Sequence, residues 1–167
     1  MKKLIYCSYC GKPNSFNFTE GRERYNCKNC QLIHYQNPKP TATLICPKHD
    51  SILLVKRAFS PAKGTWSLPG GFLELGETPD EGAKRELKEE TNLNGEVIKL
   101  LGHCSHFNSI FGDILLLGMT MKIDNWDDLS SGDDASDAQL FNINNFPSLA
   151  FECHNKILNM YIKDLKI

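Results

Sequence analysis

No stretch of the 167 residues approaches the roughly 18 consecutive apolar side chains that a membrane-spanning helix needs, so no membrane partner is expected. The apolar part of the opening Met1-Lys2-Lys3-Leu4-Ile5-Tyr6 is too short for a secretory leader, and Cys7 follows at once. A cytoplasmic protein is the expectation. Net charge is nearly absent: 19 basic against 20 acidic residues leave −1. Such a chain has no general attraction for nucleic acid, which is not expected as a partner. Repeats and low-complexity tracts are missing too. The cysteine count, seven, is odd and fits poorly with a closed disulfide framework. With 41% apolar and 23% charged residues, the composition is that of an ordinary globular protein rather than a disordered chain or a coiled coil.

The chain reads as two unequal domains, 1–36 and 37–167. The first is polar, short of aliphatics and locally basic: Lys2, Lys3, Lys12, Arg22, Arg24 and Lys28 oppose only Glu20 and Glu23. It cannot build a core alone and needs a staple. Cys7-x2-Cys10 and Cys27-x2-Cys30 supply one, because four thiolates at this spacing close a tetrahedral Zn²⁺ site. The same four-sulfur set also holds iron in rubredoxin-like sites. Catalytic zinc is disfavoured, since four protein sulfurs leave no open position. Cys46, Cys104 and Cys153 lie in apolar surroundings and read as buried fillers.

Asn37-Pro38-Lys39-Pro40 is an extended linker. Beyond it, residues 41–46 and 52–56 are β-rich runs around the turn 47–50 and read as a hairpin. A short strand is expected near 65–68. Thr78-Pro79-Asp80-Glu81 is a helix start, with a cap, a proline at the first position and a glutamate three after the cap. The helix should run to about Thr91, where Asn92 is a plausible left-handed stop. Strands are expected over 96–102 and 113–123, the second apolar enough to be central. Residues 124–137 hold six aspartates and read as a solvated loop. A last strand is expected over 139–143, and 149–165 carries apolar residues at helical spacing.

Within the first of these helices, Glu86, Glu89 and Glu90 share one face. Like-charge crowding of this kind costs a lone helix a few tenths of a kcal/mol per pair. A hard cation such as Mg²⁺ or Mn²⁺ would reverse it. Three glutamates alone read better as a solvated face. Gly70 and Gly71 permit close backbone approach just before the helix, and Arg85 is spaced to pair with Glu77 or Glu81.

Taken together, Gly71, Glu77 and the run Arg85-Glu86-Leu87-Lys88-Glu89-Glu90-Thr91-Asn92-Leu93 resemble the Nudix box, Gx5Ex7REUxEExGU, with U aliphatic. One specified position departs: Asn92 replaces the final glycine, a mild change because asparagine tolerates the same left-handed geometry. The Cys₄ ribbon, the segment Ile33 to Pro40 and the ending Phe146-Pro147-Ser148-Leu149-Ala150-Phe151 are similar to the zinc-ribbon-bearing Nudix hydrolases. The resemblance covers nearly the whole chain. It implies an α/β/α sandwich, an α+β arrangement with a mixed sheet, preceded by a zinc ribbon.

It also implies a hydrolase that cleaves a nucleoside diphosphate linked to another moiety, using Mg²⁺ or Mn²⁺. By position, Glu86, Glu89 and Glu90 correspond to the metal ligands, with the Gly70 carbonyl as a further one and Arg85 and Glu77 as a bracing pair. The base is a box glutamate or an acid from a later loop: Asp133, Asp134 or Asp137. The SQPWPFPxS signature of NADH pyrophosphatases is absent. So is the proline of many ADP-ribose pyrophosphatases, with Ser109 in its place. An ADP-ribose, FAD or NAD(H)-like substrate is expected. Trp66, Phe107 or Phe111 could stack a base, and His103 or His106 could meet phosphate. Many Nudix proteins are dimers, so a homodimer is compatible with the resemblance. The rival readings are a housecleaning nucleoside triphosphate pyrophosphatase and a non-catalytic module whose ribbon binds RNA or protein.

Overall fold

The computed structural model describes residues 3–132 and 134–165. The chain divides into two compact units, Met1–Pro38 and Lys39–Ile167.

In the first unit, β1 (Ser15–Thr19), β2 (Arg22–Asn26) and β3 (Ile33–His34) form a small antiparallel sheet in that order. Glu20 and Gly21 turn β1 into β2 with φ of 50° and 84°, the positive-φ pair that matches a hairpin's twist. Phe16 and Tyr25 pack across the register with ring centroids 4.7 Å apart. Two tight turns carry the cysteine pairs. Gly11 has φ of 70° in the first, and Gln31 adopts φ of 60° in the second without being glycine.

The second unit begins with β4 (Lys39–Ile45), β5 (Pro47–Lys48), β6 (Ser51–Arg57) and β7 (Trp66–Ser67). Then come α1 (Pro79–Thr91), β8 (Gly95–Ser109), β9 (Gly112–Ile123), β10 (Ala135–Asn142) and α2 (Glu152–Asp164). β9 is central, as its apolar run suggests, pairing in parallel with β4 and antiparallel with β8. β6 lies between β10 and β5 and also takes β7. The strands point alternate residues to opposite layers. Leu44 and Leu53 pack with Ala83 and Leu87 of α1, whereas Ile45, Ile52 and Leu54 pack with Ile157 and Leu158 of α2. A helix therefore covers each face of a mixed sheet system, which is the expected sandwich. All of these side chains are fully buried or nearly so, the leucines and isoleucines each worth about 1.5–3 kcal/mol relative to exposure. No helix among the described residues is long and apolar enough to cross a membrane.

The expected hairpin between 41–46 and 52–56 is not formed. Both edges of β4 are already taken, one by β9 and the other by the loop after β7, where Leu44 and Ala42 donate to the Pro69 and Gly71 carbonyls. β6 folds back on β5 instead. β8 runs to Ser109, well past the expected 102. Its register shifts let the polar stretch 103–109 stay paired with β9. β10 starts at Ala135, inside the expected acidic loop, because that end pairs with Arg57 and Lys56.

Candidate active site

The loop from Leu68 to Leu73 sets the site against β4. Gly70 has φ of 133°, and a Cβ there would lie 2.1 Å from the Ala42 carbonyl oxygen. Only glycine fits this crossing. At Gly71 a Cβ would meet the Glu86 carboxylate at 2.4 Å, the end of a flexible side chain that would have to move out of the site. The Pro69 and Gly71 carbonyls are held by β4, while that of Gly70 accepts no backbone N–H among the described residues.

α1 then begins with the expected capping box. The Thr78 side chain accepts the Glu81 N–H, and the Glu81 carboxylate accepts the Thr78 N–H at 2.7 Å. The helix ends at Asn92 with φ of 57°, the left-handed geometry the missing glycine would have supplied. Between these caps, Arg85 grips Glu77 through Nε at 3.0 Å and Nη2 at 2.7 Å. Nη2 also donates to the Phe72 carbonyl at 2.9 Å, which brings the loop onto the helix. Nη1 reaches Glu86 at 2.8 Å and Glu89 at 2.9 Å. This fork holds the Glu77 carboxyl down to about 2, helped by the Glu74 backbone.

The three box glutamates differ in setting. Glu89 is the most open. Glu86 is mostly buried, and burial raises its pKa against the opposing Arg85 charge. Glu90 is buried, and desolvation pushes its carboxyl up to about 8, although the Gly70 N–H opposes the shift. Glu86, Glu89, Glu90 and Asp134 line a pocket of about 360 Å³, with Phe59 as its apolar wall. These are hard oxygen donors, and one of them, Glu90, is a buried carboxylate that makes no salt bridge among the described residues, although the Arg57 charge acts on it. The set fits a divalent ion.

Among the described residues, the four cysteines are the one group of three or more histidine, cysteine or acidic side chains whose ligand atoms all lie within 4.8 Å of one another. Cys7 and Cys30 sulfurs are 3.6 Å apart and those of Cys10 and Cys27 3.4 Å. That is far beyond a disulfide and near the ~3.8 Å that tetrahedral zinc with ~2.3 Å bonds requires. The Lys12 backbone N–H draws the Cys10 thiol down to about 6, and the Cys10 N–H lowers Cys7. The first turn thus favours the thiolate at Cys10 and Cys7. At Cys30, against the opposing Leu32 backbone, burial and the neighbouring sulfurs push the thiol up to about 12. The close-set quartet fits Zn²⁺.

Of the acids expected as a base, Asp134 lines the pocket. Asp137 lies within β10 and accepts from Gln139 at 2.8 Å, away from the pocket lining; Asp133 falls outside the described residues. Trp66 packs edge-on against Phe141 at 4.7 Å and belongs to the core. Phe111 sits against Phe72 at 5.5 Å and Phe107 is exposed; neither lines the carboxylate pocket, nor do His103 and His106. Phe59 was not legible as a site residue. Its one signal is a large apolar residue in a polar loop, where the structure leaves it 59% exposed. Cys46, Cys104 and Cys153 are buried, as expected.

The NUDIX domain family model matches residues 37–157, and the Nudix N-terminal zinc-ribbon model matches 6–36. The chain is 40% identical over 130 residues to an ADP-ribose pyrophosphatase of Methanocaldococcus jannaschii, covering 77% of this chain and 76% of that protein. It is 27% identical over 155 residues to the NAD-capped RNA hydrolase NudC of Vibrio atlanticus, covering 89% of this chain but 53% of the relative, so it spans about half of that protein's length. A crystal structure of a NUDIX hydrolase from Nitrosomonas europaea superposes with a TM-score of 0.83 at 32% identity, over 95% of this chain and 90% of that one. With the box on a braced helix and a cysteine quartet before it, the chain belongs to the NUDIX hydrolase family, in its zinc-ribbon-bearing form.

Proposed function

We propose that this protein is a divalent-metal-dependent pyrophosphohydrolase that cleaves the diphosphate of an ADP-containing substrate, an ADP-sugar or a dinucleotide. The observation that carries this reading is the pocket lined by Glu86, Glu89, Glu90 and Asp134. Four carboxylates repel a diphosphate, so the pocket can receive one only when cations stand between them. Bound there, Mg²⁺ or Mn²⁺ would neutralise phosphate oxygens and lower the pKa of an attacking water. Glu86, Glu89 and Glu90 supply the ligands, and Gly70 offers its carbonyl. Arg85 and Glu77 hold loop and helix in register. Asp134, which has no side-chain partner among the described residues, takes the proton of the attacking water. Phe59 gives a flat wall to the group beyond the diphosphate. Zn²⁺ on the cysteine quartet is structural.

The names of two relatives, an ADP-ribose pyrophosphatase and an NAD-capped RNA hydrolase, support the ADP-containing class. A homodimer belongs to the same reading. β8 is an edge strand with Ile98 and Leu100 each 57% exposed, and light scattering tests it.

The test is a hydrolysis panel with Mg²⁺ and then Mn²⁺ over ADP-ribose, NADH, FAD, a diadenosine polyphosphate and an oxidised dGTP, with products separated by chromatography. Release of AMP with a second phosphate ester is the expected result. Preference for the triphosphate, with pyrophosphate released, would replace this reading by a housecleaning one.

A further inference from the structure

We propose that His154, on the first turn of α2, is a positioning residue for hydrolysis: by accepting the Leu68 N–H it fixes the loop that holds Glu90. The inference rests on the hydrolase reading above.

β7 stops at Ser67, and its pairing with β6 stops there too. The next residue, Leu68, is 1% exposed and still carries an N–H that needs an acceptor. No strand supplies one. His154 does, 86 positions away in sequence, through Nδ1 at 3.1 Å. From Leu68 the chain has two residues to reach Gly70, whose own N–H donates to Glu90 Oε2 at 2.9 Å. Pro69 and Gly71 are meanwhile stitched to β4. The path from α2 to the carboxylate pocket is therefore continuous: His154, the Leu68 amide, the glycine loop and Glu90. Hydrogen bonds standing behind a metal ligand commonly set its orientation.

The contact demands a particular imidazole. Nδ1 must be bare, so the ring is neutral with its proton on Nε2. The surroundings favour that form. The Phe151 ring lies 5.3 Å from His154, the Arg57 guanidinium stands over that aromatic at 5.2 Å, and His106 approaches the same phenyl at 6.2 Å. Burial, followed by the positive charge of Arg57 and the proximity of His106, pushes the His154 pKa down to about 3. The acceptor therefore persists at any pH near neutrality.

Three variants of the full-length protein separate this role from simple packing. His154→Asn keeps an acceptor near the Nδ1 position, His154→Gln moves it about one bond outward, and His154→Leu removes it while filling the space. His154→Leu and His154→Gln should lower kcat about 10–100-fold and raise the Mn²⁺ concentration for half-maximal rate, with a smaller change in KM. His154→Asn should stay within about threefold of the parent. Leu68 amide hydrogen exchange should accelerate in His154→Leu and His154→Gln and not in His154→Asn. Parent-like kcat and metal dependence in His154→Leu, or an equal loss in His154→Asn, would overturn the proposal. Should His154→Leu not fold, the Asn–Gln pair decides alone. A parent protein silent across the substrate panel would instead sink the hydrolase reading, and the Leu68 exchange rates would still report on the contact.

Discussion

Glu90 and Gly70, twenty residues apart, are joined by one hydrogen bond from the Gly70 N–H to Glu90 Oε2. This bond seats the end of the box helix against the glycine loop, and it does so with a buried acid. Burial raises the Glu90 carboxyl to about 8, so in the absence of divalent ions the folded protein holds a proton there that the unfolded chain releases near pH 4.5. Stability from this group is complete below pH 4.5 and is lost as pH rises toward 8. Glu90→Gln should remove that decline. Without added Mg²⁺ or Mn²⁺ it should be more stable than the parent at pH 8 by about 2 kcal/mol or more, yet hardly different at pH 4.5. Urea denaturation at the two pH values checks this, and parallel pH profiles would refute it.

Glu89 is the exposed member of the carboxylate set, so its loss should spare the fold. Glu89→Gln is expected to lower kcat on the order of 10³-fold, equivalent to about 4 kcal/mol of transition-state stabilisation. Its thermal midpoint should stay within a degree or two of the parent, as expected of a surface change. Near-normal turnover would remove Glu89 from the ligand set.

Arg85 makes five hydrogen bonds to Glu77, Glu86, Glu89 and Phe72. An ammonium cannot reproduce that planar fork. Arg85→Lys should reduce kcat about 10–100-fold. Glu77, held near 2 by the guanidinium, contributes stability that is present above about pH 4.5 and is lost as pH falls through 2. The stability gap between parent and variant should therefore narrow between pH 7 and pH 3. A constant gap would show that the fork does not govern Glu77.

Gly70 tests the loop itself. Alanine at a φ of 133°, with its Cβ 2.1 Å from the Ala42 oxygen, must displace either β4 or the loop. Gly70→Ala should cost about 3 kcal/mol or more. An unchanged melting temperature would contradict the crossing geometry.

For the ribbon, removal of zinc should unfold β1 to β3 while α1 and α2 keep their helicity. Amide spectra recorded before and after chelation decide this. Undisturbed β1–β2 signals after verified metal loss would show that the hairpin stands without its staple.

The elements written in local chemistry were legible from the sequence. The capping box at Thr78, the left-handed stop at Asn92, the cysteine knuckles and the Arg85–Glu77 pair each depend on residues close in the chain. Pairings that depend on distant segments were not. The run 41–46 looks like one arm of a hairpin, yet its partner is β9, brought alongside by the whole intervening chain. The polar residues 103–109 carry little strand signal, and only the ladder with β9 makes them extended. Phe59 and His154 belong to the same class. Neither has a neighbour in sequence that announces it, and their roles arise from what the fold sets beside them.

The parallel pairing of β4 with β9 also bears on the order in which the molecule can be made. Lys39 waits for Ile114 and Ile45 for Thr120, and the glycine loop has β4 as its backing. A chain emerging from the ribosome can close its zinc knuckles early and nucleate its box helix locally. The glycine loop can be seated firmly only after β9 has been synthesised and has docked on β4. Catalytic competence should thus be among the last properties the nascent protein acquires.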